Sequence, residues 1–84
     1  MRKVSNKELR QATTSLRAKG FSRSDTANVK KIFRGDLEEG TSLTRGIDPK
    51  ELKRGVKWMR GNMSKHTLSK KQIDKLEESL QKKL

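Results

Sequence analysis

Motifs that begin α-helices recur along the chain, and they constrain its fold more than any other feature. A capping box is a pair of reciprocal hydrogen bonds between the residue that precedes a helix and the residue three positions later. The side chain of each accepts from the backbone N–H of the other. Boxes of this kind, in which Ser or Asp precedes an acid or amide, occur at residues 5–8, 48–51 and 69–72. Pro49 strengthens the second box, because proline suits the first position of a helix. Ser22 with Asp25 resembles a further cap, so four helix starts are predicted.

Apolar residues are in register with these starts. A hydrophobic staple pairs the residue before the cap with one in the first turn. Its positions are occupied at three starts by Val4 and Leu9, Ile47 and Leu52, and Leu68 and Ile73. Further apolar residues follow at helical spacing, and glycines mark the helix ends. The sequence therefore predicts one all-α domain over 1–84, a compact bundle of four short helices at about 5–19, 22–34, 48–60 and 69–84.

The composition raises disorder as an alternative, because charged residues make up 38% of the chain and apolar residues only 29%. A disordered chain has no reason to keep caps, staples and apolar spacing in register, so their agreement favours a folded bundle. A domain this small needs nearly every apolar side chain in its core. The predicted inner faces are Leu9, Ala12 and Leu16; Val29, Ile32 and Phe33; Leu52, Val56 and Met59; and Ile73, Leu76, Leu80 and Leu84.

Residues 35–47 are predicted to form one long loop. We interpret it as a spacer that is held to the core by Leu37 and Leu43. One interpretation of its acidic residues is a magnesium site formed by Asp36, Glu38 and Glu39. The preferred interpretation is an acidic tip that begins or ends a helical turn, since carboxylates favour helix N-termini.

The net charge of +12 is spread unevenly. Residues 1–34 carry ten Lys or Arg against two acids, and residues 49–71 carry eight against one. In contrast, residues 35–48 have a net charge of −3 and residues 72–84 are balanced. Such an imbalance causes self-repulsion in a small protein, so a polyanionic partner is expected, and nucleic acid is the commonest one.

Basic side chains are aligned along the predicted helices and are the candidate phosphate contacts. The third predicted helix carries five at spacings that share one face, namely Lys50, Lys53, Arg54, Lys57 and Arg60. Weaker stripes on the first two predicted helices comprise Lys7, Arg10 and Arg17, and Arg23, Lys30 and Arg34. The alternative is a solvated face that favours solubility, but only Glu51 offsets the five charges of the third helix.

These faces predict a non-catalytic protein that binds DNA or structured RNA mainly through its phosphates. One Trp and two Phe are too few for base stacking to be the main device, which favours structured nucleic acid over extended single strands. The chain has no paired Cys and His, aromatic RNA-binding segment or basic zipper. The first two helices have the length of a helix-turn-helix, although the spacing after Gly20 departs from that motif. The alternative function is a basic protein-interaction module, an adaptor or inhibitor that docks on an acidic partner surface.

Catalysis, metal binding and membrane association are disfavoured. The chain has no Cys and one His, so it offers neither a thiol nucleophile nor a zinc site, and no cofactor is expected. No apolar run has the length of a bilayer span and the first residues do not resemble a secretory signal, so an intracellular, cytoplasmic location is expected. Membrane-surface binding is disfavoured because the bulky apolar residues are needed in the core.

Several single residues have more than one interpretation. Trp58 lies beside both faces of the third predicted helix, which is typical of the core or its rim, and base stacking or a protein contact are the alternatives. Met59 and Met63 are interpreted as core residues, and His66 as an exposed loop residue. The leucine side of the last helix is either the final core face or a dimer seam, so the sequence does not predict an oligomeric state.

Overall fold

The computed structural model describes residues 2–41 and 45–84, and every regular element in those ranges is helical. The elements are α1 (Asn6–Ala18), α2 (Arg23–Ile32), α3 (Arg34–Glu38), α4 (Pro49–Gly61) and α5 (Lys70–Gln81), with a 3₁₀ turn at Met63–Lys65 between the last two. The helices pack into a body with a radius of gyration of 11.8 Å. The predicted all-α bundle is confirmed, and the four predicted helices correspond to α1, α2, α4 and α5.

The starts of these four helices are closed capping boxes. At the start of α1, the Ser5 N–H donates to Glu8 Oε1 and the Glu8 N–H donates to Ser5 Oγ, both over 3.1 Å. The boxes that begin α2, α4 and α5 have both bonds as well, with N···O distances between 2.7 and 3.2 Å. Ser22 with Asp25 is therefore a complete box. Each box satisfies backbone N–H groups that have no partner within the helix.

The prediction of one long loop over 35–47 is partly wrong. α2 ends at Ile32, and after Phe33 the chain forms the short helix α3. Gly35 does not stop the helix, because Leu37 is buried and the helical turn carries its side chain to the core. The acidic residues at 36 and 38 lie in this helical turn, as the preferred interpretation predicted. Leu43, the other predicted anchor, lies outside the described residues.

A backbone bridge joins the starts of α1 and α4. The Val4 N–H donates to the Ile47 carbonyl over 2.9 Å, and the Ile47 N–H donates to the Val4 carbonyl over 2.8 Å. Both residues are fully buried staple residues, so the bridge sets two capped helix starts side by side. Gly46 has φ of 116°, and a Cβ there would lie 2.9 Å from the Lys3 Cβ. Glycine is therefore required beside the bridge, because an L side chain would be both strained and crowded.

The core contains nearly every residue of the predicted inner faces. Ile32 and Leu84 are half-buried and pack against it, as does Met63. Ile73, Leu76 and Leu80 of α5 are fully buried, which confirms that the leucine side of the last helix is a core face. The core comprises Val4, Leu9, Ala12, Leu16, Phe21, Val29, Phe33, Leu37, Ile47, Leu52, Val56, Met59, Leu68, Ile73, Leu76 and Leu80.

Phe33 packs directly on the backbone of α4. A Cβ at Gly55 would lie 2.4 Å from Phe33 Cε1, which is closer than any tolerated contact. A glycine inside a helix normally lowers stability by about 1 kcal/mol relative to alanine. Here the missing side chain makes room for the ring of Phe33, which is fully buried. The contact fixes the end of α2 and the start of α3 against α4.

A buried carboxylate links the start of α2 to the start of α5. Asp25, which is 5% exposed, accepts hydrogen bonds from the Thr67 hydroxyl and from Gln72 Nε2, the latter over 3.2 Å. Gln72 in turn closes the capping box of α5 on Ser69. Burial alone raises the pKa of Asp25, but the hydrogen bonds from Thr67, Ser22 and Gln72 outweigh it and hold that pKa below its ordinary value.

His66 is half-buried, so its interpretation as an exposed loop residue is wrong. The Leu68 N–H donates to His66 Nδ1 over 3.1 Å, and His66 Nε2 lies 2.8 Å from the Met59 carbonyl oxygen. Because Nδ1 must accept from Leu68, the proton is on Nε2 and is donated to Met59. The ring thus bridges α4 to the segment that leads into α5.

Candidate nucleic-acid interface

The outer face of α4 is a row of exposed basic side chains. Lys50, Lys53, Arg54 and Lys57 project away from Leu52, Val56 and Met59, which are buried. The periodicity of 3.6 residues per turn explains the separation of the two faces. Lys50, Lys53 and Lys57 form no ion pair within the described parts of the chain, so their charges face solvent.

Arg60 differs from the other basic residues that the sequence placed on this face. Its Nη2 lies 2.6 Å from Asp74 Oδ1 and 3.4 Å from Glu77 Oε1, both on α5. Arg60 is thus paired with carboxylates of α5, whereas, among the described residues, the lysines of the outer face are not. Because these side chains are largely exposed, the pairs contribute little to stability.

A groove between α1 and the end of α2 brings together two of the predicted basic stripes. Arg10 of α1 lines it together with Lys30 and Lys31 of α2 and Arg34 of α3. The groove has a volume of about 440 Å³, and we call it the basic groove. Arg34 pairs with Glu38 over 3.1 Å, but both side chains are exposed, so this pair is weak. Arg10, Lys30 and Arg34 thus line one groove, although the sequence assigned Arg10 to the first predicted helix and the other two to the second.

A second groove of about 540 Å³ separates α2 and α3 from α4, and we call it the Trp58 groove. Lys31 lines both grooves, so the two adjoin at this residue. Arg54 connects the Trp58 groove to the outer face of α4. The groove is lined by Asn28, Lys31, Ile32, Asp36, Glu51, Arg54, Gly55, Trp58 and Lys65.

Trp58 lies at the rim of the core, with 41% of its surface exposed. Among the described residues, Trp58 is the large apolar residue whose side chain is exposed. The other large apolar side chains in those ranges are buried or half-buried. The centroid of its ring lies 6.3 Å from that of His66, with the planes tilted by 41°. The Trp58 carbonyl accepts from Asn62 Nδ2 over 2.8 Å at the end of α4. The sequence predicted that Trp58 lies in the core or at its rim, and the structure places it at the rim.

Two carboxyl groups, those of Asp36 and Glu51, are crowded together where α3 and α4 line the Trp58 groove. Burial, the hydrogen bond with Glu51 and the negative charges of Glu51 and Asp48 raise the pKa of Asp36 to about 6, against the opposing effect of Arg54. Asp36 of α3 and Glu51 of α4 thus meet within one groove, where the charge of Glu51 disfavours the ionised form of Asp36. No group of three or more His, Cys, Asp or Glu in the described ranges is arranged to hold a metal ion.

The remaining predicted contacts lie outside both grooves. Lys7 and Arg17 are exposed on α1, and Arg23 is exposed at the first residue of α2. Conversely, Lys31 and Lys65 line grooves but were not among the predicted contacts. Lys31 lies about 100° around α2 from Lys30, so it does not belong to the basic stripe that the residue spacing indicates on that helix. Lys65 is in the 3₁₀ turn, where no helical stripe could indicate it.

Comparisons with protein-family models, with curated proteins and with solved structures find no match to this chain. The helices in the described residues are all too short or too polar to cross a membrane. The site is therefore characterised by its own side chains, which are six basic and three acidic groups around two adjoining grooves.

Proposed function

We propose that this protein binds DNA or structured RNA without catalysis, through phosphate contacts on the two grooves and the outer face of α4. One observation carries the proposal: basic side chains from four helices converge on grooves that adjoin at Lys31 and continue through Arg54 onto α4. The acids of the grooves offset only part of that charge. Such a surface is costly by self-repulsion and is stabilised by a polyanion.

The chemistry of the surface favours backbone contacts over base reading. Lys and Arg bind phosphate oxygens and release the counterions that surround a nucleic acid. Their side chains are exposed on helices that are fixed by capping boxes and by a buried core, so the charges are held in a defined arrangement. Phosphate contacts give affinity and orientation but little information about sequence.

The salt dependence of binding tests this proposal. With about five phosphates contacted on duplex DNA, log K should fall against log salt with a slope of roughly −4 to −5. Fluorescence anisotropy of a labelled DNA duplex and a labelled RNA hairpin, titrated from low to moderate salt, measures the slope. If neither probe binds at low salt, the proposal is overturned and the alternative, an acidic protein partner, is favoured.

A charge reversal at the junction of the Trp58 groove and the outer face tests the location. Arg54→Glu combined with Lys57→Glu should weaken binding by at least tenfold, because two attractive phosphate contacts become repulsive. The fold should persist, because both side chains are exposed; thermal melts of the variant check this, since Arg54 also offsets the negative charge around Asp36. The matched control, Lys82→Glu with Lys83→Glu, makes the same change of charge at the C-terminus. Equal losses in the two variants would show that total charge alone governs binding.

A further inference from the structure

We propose that the Trp58 groove holds one unstacked nucleobase of the bound nucleic acid, with the indole of Trp58 as its stacking surface. This inference rests on the proposed function and adds to it a preference for structured nucleic acid that contains an unpaired nucleotide. A single aromatic side chain suffices for one such base, whereas a run of stacked bases needs several.

The exposure of Trp58 is the first observation that supports this assignment. In a chain with 29% apolar residues, the largest side chain is left 41% exposed while Val56 and Met59 fill the core beside it. The indole also has a fixed neighbour. His66 is hydrogen-bonded to the Met59 carbonyl and the Leu68 N–H, so the indole lies beside a rigid ring. Such a neighbour restricts the orientations open to the indole, so less conformational freedom is lost on stacking.

The distribution of charge in the groove is the second observation. Lys31, Arg54 and Lys65 supply cations that attract the phosphates flanking an extruded nucleotide. Asp36 and Glu51, which line the same groove near Arg54, repel phosphate. A phosphodiester chain is thus favoured beside the cations, and the neutral base is the part of the nucleotide that can enter the groove.

The size and polar lining of the groove agree with this occupant. Its volume of about 540 Å³ lies in the range of small-ligand sites, about 300–1,000 Å³. Asn28 donates through Nδ2 to the Ser24 carbonyl over 2.6 Å and to Thr67 Oγ1 over 3.3 Å. Its amide orientation is thereby set, and its carbonyl oxygen, which has no partner among the described residues, is an acceptor for an amino group of a base.

The test compares two RNA hairpins whose strands are joined by a non-nucleotide linker and that are identical except for one unpaired nucleotide in the stem, so the perfect hairpin offers no unpaired base. Because Trp58 is the one tryptophan of the chain, its emission reports directly on stacking, while anisotropy of a labelled hairpin reports on binding. The bulged hairpin should bind more tightly, quench the emission and protect the indole from iodide. The perfect hairpin should bind without these changes.

Trp58→Ala should weaken binding to the bulged hairpin by about tenfold and leave the perfect hairpin within twofold. Trp58→Phe, which keeps an aromatic ring, should restore part of the difference. Leu84→Ala is the matched control, because Leu84 is a half-buried apolar residue that lines neither groove. Should Trp58→Ala fail to fold, the emission and iodide measurements on the unaltered protein still decide the question.

The outcomes separate this inference from the function on which it rests. If neither hairpin binds, both are overturned. If both bind equally and the emission does not change, phosphate binding stands and the nucleobase site is overturned. Equal weakening of both hairpins by Trp58→Ala would also overturn it, because Trp58 would then be a general contact.

Discussion

Asp25 and Asp36 each lie in the first turn of a helix, yet their surroundings shift their pKa values in opposite directions. At the junction of α2 and α5, Asp25 receives hydrogen bonds from Thr67, in the segment that leads into α5, and from Gln72 of α5. At the junction of α3 and α4, Asp36 meets the carboxyl of Glu51. The first carboxylate stabilises the fold, and the second opposes it. Burial acts alike on both, so the partners decide the sign.

The two junctions also differ in what holds them together. The α2–α5 junction is a polar network in which two capping boxes are joined through Asp25 and Gln72. The α3–α4 junction depends on the ring of Phe33 against Gly55, with the repelling carboxyl pair beside it. Hydrogen bonds between buried polar groups hold one pair of helices together, and close packing holds the other. Different substitutions are therefore expected to destabilise the two junctions.

The largest effect is expected at the polar junction. Asp25→Ala should lower the free energy of unfolding by about 2–4 kcal/mol, because it removes a cap and leaves Thr67 and Gln72 without their acceptor. Thermal melts should show a decrease in Tm of roughly 10–20 °C. The matched control is Glu8→Ala, the same box position at the start of α1, where a loss of about 1 kcal/mol is expected. Similar losses in both variants would mean that only the cap matters and that the link to α5 contributes nothing.

The packed junction should be sensitive to one methyl group. Gly55→Ala should lower the free energy of unfolding by about 1–3 kcal/mol, since the new Cβ displaces the ring of Phe33. The control is Gly61→Ala in the same helix, where no atom lies within 4 Å of the added Cβ and a small gain is expected. Urea unfolding of both variants measures the difference. A stabilised Gly55→Ala variant would contradict the packing of Phe33 on the backbone of α4.

The smallest effect is expected for Asp36→Asn, and it has the opposite sign. The folded protein holds a proton on Asp36 up to about pH 6, whereas the unfolded chain releases it near pH 3.8. Ionised Asp36 therefore destabilises the fold fully above pH 6, and this penalty disappears as the pH falls toward 3.8. Asp36→Asn should raise the free energy of unfolding by about 1–2 kcal/mol at pH 7. Melts at pH 7.5 and pH 4 measure the change, and an equal gain at both values would exclude the ionisation of Asp36 as its cause.

Asp25 gives the reverse pH dependence within the same protein. Its folded pKa is lowered, so the stability that it contributes is present above the unfolded value near 3.8 and is lost as the pH falls through the folded pKa. In the Asp25→Ala variant the loss of stability on acidification below pH 4 should therefore be smaller than in the unaltered protein. Melts between pH 5 and pH 2.5 compare the two proteins.

The fold could be predicted from the sequence to within a few residues at most helix ends. The boxes at 5–8, 22–25, 48–51 and 69–72 form as their spacing indicates. α3 was missed because Gly35 resembles a helix stop, while the burial of Leu37 decides otherwise. The Val4–Ile47 bridge was also missed, since one residue pair has no periodicity to recognise.

The candidate site was less predictable than the fold. Exposure of Lys50, Lys53, Arg54 and Lys57 followed from their spacing along one helix. The engagement of Arg60 by α5 could not be predicted, because Asp74 and Glu77 lie 14 and 17 residues away in the chain. The adjoining grooves likewise require side chains from several helices, and no pattern within one helix contains them.

The sequence by itself determined where α1, α2, α4 and α5 begin, which of their faces are apolar and how the charge is distributed. These properties depend on contacts across three to five residues, and residue spacing specifies such contacts directly. Tertiary structure alone decided that Arg10, Lys31 and Arg54 border adjoining grooves, and that Asp25 meets donors while Asp36 meets an acid. The physical reason is that charge–charge and hydrogen-bond energies depend on distance in space, and packing brings together groups that are far apart in the chain.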